Sequence, residues 1–128
     1  MFTVGRVVVP TLFKISRKEV DTGKGIVYLL VVRLEDGTEA YKIGITTRDI
    51  SDRVEEILTS IWKKLRYYPY CKPKRYRSTE NYFEKEQAIH KELEEFRWDG
   101  LAKTSGGNEW FSGVSLEHVV EVYERIVC

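Results

Sequence analysis

A glutamate and a histidine four residues apart, Glu86 and His90, sit on the oily side of a stretch that repeats with a helical period. The pattern predicts a helix capped by Ser78 or Thr79 and running to about Arg97. Tyr82, Phe83, Ile89, Leu93 and Phe96 share one side of it. At about 100° per residue Glu86 falls in the middle of that side, with His90 one turn on and Arg97 close by. Burying an unpaired carboxylate is costly, so Glu86 needs a cation, strong donors or a metal. Two arrangements meet that need. One is an internal salt bridge to Arg53, Arg97 or a lysine. The other is a single oxygen ligand for Mg²⁺ or Mn²⁺, which hard cations accept alongside waters and a phosphate oxygen. His90 is open between orienting that carboxylate, touching a phosphate and serving as a satisfied core histidine. Glu84, the nearest rival acid, points away from the stripe. His118 lies opposite the apolar face of the last helix and reads as exposed and inert.

A second chemical signal lies between Ile57 and Thr79. Lys63, Lys64, Arg66, Lys72, Lys74, Arg75 and Arg77 occur there without a single acid. Seven positive charges in a chain of net +1 leave the remainder at −6, so overall neutrality hides a polar molecule. Trp62, Tyr67, Tyr68, Tyr70 and Tyr76 are interleaved with them. Basic groups track a phosphate backbone and aromatic rings stack on unpaired bases, which favours nucleic acid as the partner. The plainer alternative is a solvated edge strand over Leu65–Cys71, its lysines protecting the edge from pairing.

These residues must be positioned by a hairpin and the helix after it. Gly25 to Arg33 is nearly all apolar and β-branched, which predicts a central strand covered on both faces. Glu35-Asp36-Gly37-Thr38 is turn chemistry, and Tyr41 to Thr46 returns as a second strand. A two-residue turn would place Tyr28 with Tyr41, Ile43 and Ile45. A loop with an odd residue count places it with Lys42, Gly44 and Thr46 instead, because side chains alternate along each strand. Asp49 or Ser51 then caps a helix over about 50–62, with Ile50, Val54, Ile57, Leu58 and Ile61 inward. Arg53 falls on the flank of that stripe. There it either snorkels to water or offers a planar fork to a phosphate.

GIVY at Gly25–Tyr28, YKIG at Tyr41–Gly44, Arg53 nine residues after Gly44, Glu86-x-x-x-His90 and NEWF at Asn108–Phe111 occur in that order. Together they resemble the GIY-YIG endonuclease superfamily, in its short single-domain phage and bacterial branch that reads KIG in the second motif. The resemblance covers roughly residues 25–111. It implies metal-dependent hydrolysis of a DNA phosphodiester, with Tyr28 as general base or water positioner, Arg53 stabilising charge on the phosphate, Glu86 holding Mg²⁺ or Mn²⁺, and His90 assisting. Lys42 stands where the family carries a tyrosine. It either lowers the pKa of Tyr28 or, if neutral, takes part in proton transfer.

The expected fold is α/β: a small, mostly antiparallel sheet built on the hairpin and flanked by helices. Residues 1–24 read as an N-terminal strand extension, with short strands at Arg6–Val9 and Leu12–Ile15, and 25–128 as the nuclease domain. A chain of 128 residues is one domain. There is no apolar run long enough for a signal peptide or membrane span, and Cys71 and Cys128 read as reduced thiols, so a cytoplasmic location is expected. Gly100 to Gly107 reads as a flexible loop, Trp110 and Phe111 as packing beneath the site, and Ser115 as the cap of a closing helix. Glu109 is open between a salt bridge and a second carboxylate near the metal. So small an endonuclease needs a homodimer, a partner or loose specificity. A non-cleaving nucleic-acid-binding or anti-defence module on the same fold is the alternative, and a protein-interaction domain whose basic strand meets an acidic partner is the third reading.

Overall fold

The computed structural model describes residues 24–104 and 109–128. The expected N-terminal strands and the side chain of Asn108 lie outside the described residues. The architecture is the expected α/β one, a four-stranded antiparallel sheet with helices on both faces. Strands β1 (Lys24–Arg33) and β2 (Glu39–Thr46) form the hairpin and helix α1 (Ile50–Leu65) follows. Next come strand β3 (Tyr70–Glu80), helix α2 (Tyr82–Glu92), a 3₁₀ turn (Glu94–Phe96), the short strand β4 (Trp110–Ser112) and helix α3 (Leu116–Val127). Strand order is β3-β1-β2-β4, so the hairpin is central and the basic strand β3 is an edge.

Both faces of β1 are covered, as its unbroken β-branched run requires. Val27, Leu29 and Val31 pack with Tyr41, Ile43 and Phe111 against Ile89 and Leu93 of α2 and Val119, Val122 and Tyr123 of α3. Tyr28, Leu30 and Val32 pack on the other face with Trp110, Ile57 and Ile61 of α1, and Leu101. Leu101 lies at the start of the stretch read as a flexible loop, yet it is fully buried.

The helix caps follow their chemistry. Asp49 accepts a hydrogen bond from the Ser51 amide at 2.7 Å at the start of α1, and Ser115 accepts one from His118 at the start of α3. Helix α1 runs three residues past the expected end, to Leu65, and stops at Arg66 in the left-handed conformation at φ 67°.

Two expectations fail, for tertiary reasons. The segment Tyr70–Glu80 is strand to its end, and Ser78 and Thr79 do not cap a helix. They are hydrogen-bonded into the ladder opposite Ile26 and Gly25 of β1, which holds the backbone extended. The strand therefore begins at Tyr70 and not at Leu65. Asn81, at φ 54°, makes the corner into α2, a conformation asparagine tolerates better than most residues. The same helix ends at Glu92 and does not reach Arg97. Arg97 forms a bridge with Phe111, and the Trp98 amide donates to the Trp110 carbonyl at 3.0 Å, so β4 draws this stretch out of helical geometry. With the helix so placed, Phe83 turns outward and is 55% exposed, against its expected place in the stripe. Among the described residues no helix is long and apolar enough to cross a membrane.

Candidate active site

The connection between β1 and β2 decides what the hairpin presents. Arg33 pairs with Glu39, leaving the five residues Leu34–Thr38 as the loop, an odd count. Gly37 at φ 90° turns it, and Asp36 accepts from the Thr38 amide at 2.9 Å. Tyr28 consequently lies opposite Gly44, and Leu30 opposite Lys42, so Tyr28, Lys42, Gly44 and Thr46 share one face. Of the two arrangements open from sequence, the chain adopts the one that gathers phenol, ammonium and bare backbone.

Gly44 is required there. A Cβ on it would overlap the Tyr28 hydroxyl and stand 3.0 Å from Glu109 Oε1. Arg53, on the first turn of α1, donates from Nε to the Tyr28 oxygen at 3.2 Å and from Nη1 to Glu56 at 3.2 Å. Glu56 also binds Arg48 at 2.7 Å. Lys42 is fully buried; its Nζ donates to Glu109 Oε1 at 2.5 Å and lies 5.6 Å from the centre of the Trp110 ring.

Glu86 and His90 arrive from α2, on the other side of the sheet. Ile43 explains how they reach the same site. Its amide donates to the Glu109 carbonyl at 3.2 Å, the last contact before β4 leaves the edge of β2. Its carbonyl, pointing the same way, meets His90 Nε2 at 2.8 Å. A carbonyl only accepts, so Nε2 carries the proton and cannot bind a metal. Glu86 is 2% exposed. Its Oε1 accepts from Gln87 at 3.0 Å, and His90 Nε2 is 3.9 Å from Oε2, beyond hydrogen-bonding reach. Glu86 Oε2 meets no donor at hydrogen-bonding geometry among the described residues, while the Glu109 carboxylate lies close enough to accept a hydrogen bond from protonated Glu86 and so raises it. Of the candidate salt-bridge partners, Arg53 turns to Tyr28 and Glu56, while the Arg97 guanidinium lies 5.3 Å above the Phe111 ring.

Burial dominates the protonation of the cluster. It pushes Glu86 up to about 7, and the neighbouring Glu109 charge adds to the rise. It pushes the Tyr28 phenol up to about 12, outweighing the charge and hydrogen bond of Arg53. The phenol therefore stands above its ordinary value and not below it. Burial also lowers Lys42 itself, with Glu109 pulling the other way, and lowers His90.

The basic stretch is divided by the sheet. Tyr76 lies opposite Tyr28, on the site face, and is 56% exposed. Lys72, Arg75 and Arg77 pair with Val31, Leu29 and Val27, so they project to the opposite face, where Arg75 binds Glu124 of α3 at 2.9 Å. Lys74 is exposed on β3. Lys63 and Lys64 occupy the last turn of α1, where Trp62 stacks on Tyr68 and Arg66 lies 5.1 Å above the Trp62 ring. The structure thus brings together Tyr28, Lys42, Arg53, Glu86 and His90, and spreads the seven basic residues along a strand edge and a helix end. Glu56, which steers Arg53, was missed from sequence, although its i,i+3 spacing from Arg53 was available.

Residues 25–127 match the T5orf172 domain. The chain belongs to that family. The T5orf172 domain is found in phage and bacterial proteins and has homing-endonuclease-like relatives. No curated protein and no solved structure matches the chain. The match covers every residue of the cluster just described, including the Lys42–Glu109 pair.

Proposed function

We propose that this T5orf172 domain is a divalent-metal-dependent DNA endonuclease of the GIY-YIG type. One observation carries the reading: Glu86 is buried without a lysine or arginine ion pair among the described residues, in one cluster with the phenol, guanidinium and ammonium of Tyr28, Arg53 and Lys42. The donor set fits Mg²⁺ or Mn²⁺. It offers carboxylate oxygen, His90 Nε2 is committed to a carbonyl, and no cysteine is near, which suits a hard cation with waters completing its shell. Glu86 would hold the ion, and the ion would supply charge neutralisation at the phosphate and acidify a bound water.

The chain's own residues divide the remaining work. A phenol with a pKa near 12 keeps its proton at neutral pH, so Tyr28 orients the attacking water and is not its base. Arg53 holds the phenol oxygen through Nε and contributes positive charge where the phosphate gathers negative charge. Lys42 donates to Glu109 Oε1 at 2.5 Å, and burial favours its neutral amine more than water does. That pair is the best-placed group to take a proton from the water. His90 ties α2 to the edge of β2 and so fixes where Glu86 stands.

Nicking of supercoiled plasmid with Mn²⁺ or Mg²⁺ tests the reading. Wild type should cleave and Glu86→Gln should bind DNA without cleaving. Cleavage by Glu86→Gln at the wild-type rate would remove the assignment. The competing reading is a non-cleaving nucleic-acid-binding or anti-defence module. It draws on Glu56 and Glu109, which already engage the cations that a phosphate would need. DNA binding in EDTA, with no nicking under any divalent ion, would establish it. Either reading assigns to DNA the exposed Tyr76 of the site face and Lys63 and Lys64 at the end of α1, while Lys72, Arg75 and Arg77 lie on the opposite face.

A further inference from the structure

We propose that Glu109 is the second carboxylate of the cation site and links the ion to Lys42. This rests on the reading of Glu86 as a cation ligand.

The placement of Glu109 is the first argument. Its carbonyl is fixed to the Ile43 amide at 3.2 Å, which seats the residue where β4 departs from the edge of β2. From there its side chain reaches over the bare backbone of Gly44, 3.0 Å from the position a Cβ would take, and meets Lys42 with Oε1 at 2.5 Å. The second argument is the company it keeps. A buried lysine needs a counterion, and that alone would explain the Lys42 contact. It would not explain why the counterion also lies within hydrogen-bonding reach of Glu86, a second carboxyl that is itself buried. Two neighbouring carboxylates repel each other, and a divalent cation between them reverses the sign of that interaction. Among the described residues no three of His, Cys, Asp and Glu cluster at metal-binding distance. A pair of carboxylates completed by waters and a phosphate oxygen is the usual way Mg²⁺ is held.

Mn²⁺ binding, read by the electron paramagnetic resonance of the free ion, tests this without any turnover. Four proteins are needed: wild type, Glu86→Gln, Glu109→Asp and the double variant Lys42→Met/Glu109→Gln. Glu86→Gln should abolish binding. Glu109→Asp keeps the charge and loses the reach, while the double variant keeps the summed charge of the site and loses the ligand. Each should weaken Mn²⁺ binding by about tenfold or more, the loss typical of disturbing a metal's supporting shell. If Glu109 only balances Lys42, both will bind Mn²⁺ as wild type does, and the proposal falls while the Glu86 assignment stands. If wild type itself binds no Mn²⁺, the Glu86 assignment falls and takes the proposal with it. Circular dichroism reports whether each variant is folded; should the double variant fail to fold, Glu109→Asp decides alone.

Discussion

Replacing Glu86 with Gln should make the protein more stable at pH 8 and leave it unchanged at pH 4.5. The reasoning starts from a carboxyl raised by burial, and by Glu109, from 4.5 to about 7. Between those values the native state holds a proton that the unfolded chain has released. Stability therefore falls as pH rises through that window and is untouched below it. Each pH unit in the window is worth about 1.4 kcal/mol, so full ionisation costs at most about 3 kcal/mol above pH 7. Gln has nearly the same shape and never ionises, so the variant escapes that cost. Urea denaturation of both proteins in EDTA, at half-unit steps from pH 4.5 to 8.5, gives the difference directly. An increment of this size is large against a total stability of roughly 5–15 kcal/mol. The Glu109 charge adds to the rise of Glu86, so Glu109→Gln should shift the midpoint to lower pH. The opposite sign refutes the reasoning. Were Glu86 locked in an internal ion pair, losing it would cost about 3–5 kcal/mol at pH 8, and the variant would be the weaker protein.

Three further outcomes follow from the same geometry. Arg53→Ala should lower the cleavage rate by about 10²–10³-fold or more with DNA binding little changed, as a lost transition-state contact does; a rate within a few-fold of wild type, measured under single turnover, would contradict its role. Gly44→Ala places a methyl group against the Tyr28 hydroxyl and Glu109. It should cost about 1–3 kcal/mol in urea denaturation and abolish cleavage, because the strand cannot move aside. Ser115→Ala removes the cap of α3, distant from the cluster. It should cost about 1 kcal/mol and leave nicking unaffected, a control that separates stability from chemistry.

The parts of the fold written in local chemistry were legible in the sequence. The turn residues and the β-branched run announced the hairpin, Asp49 and Ser115 announced their helices, and helical spacing placed Glu86 inward next to His90. What escaped was decided at a distance. Tyr70–Glu80 carries Pro73 and a string of charges, and nothing local says that β1 will hold it extended as far as Glu80. No Gly or Pro lies between Tyr82 and Arg97 to stop a helix, so its end at Glu92 comes from the pull of β4 on Arg97 and Trp98. The face of Tyr28 was undecidable because one residue of loop length reverses it. For the same reason the division of the basic residues between two faces could not be foreseen, since it follows from their register against β1.

That a helix on one side of the sheet can complete a cluster on the other needs a physical route, and the edge of β2 provides it. An antiparallel strand directs the amide and carbonyl of a residue to the same side. At Ile43 that side faces outward, where a longer β4 would have continued the ladder. It ends instead with Glu109, which takes the amide, and His90 takes the carbonyl. The backbone group left by the shortened strand is satisfied by a side chain, so α2 is fastened to the sheet edge at the gap. One turn earlier on the same helix stands Glu86, so the fastening of His90 fixes its place as well. A longer β4 would satisfy Ile43 by itself and release His90. The short strand and the histidine thus form one device, and each is intelligible only with the other.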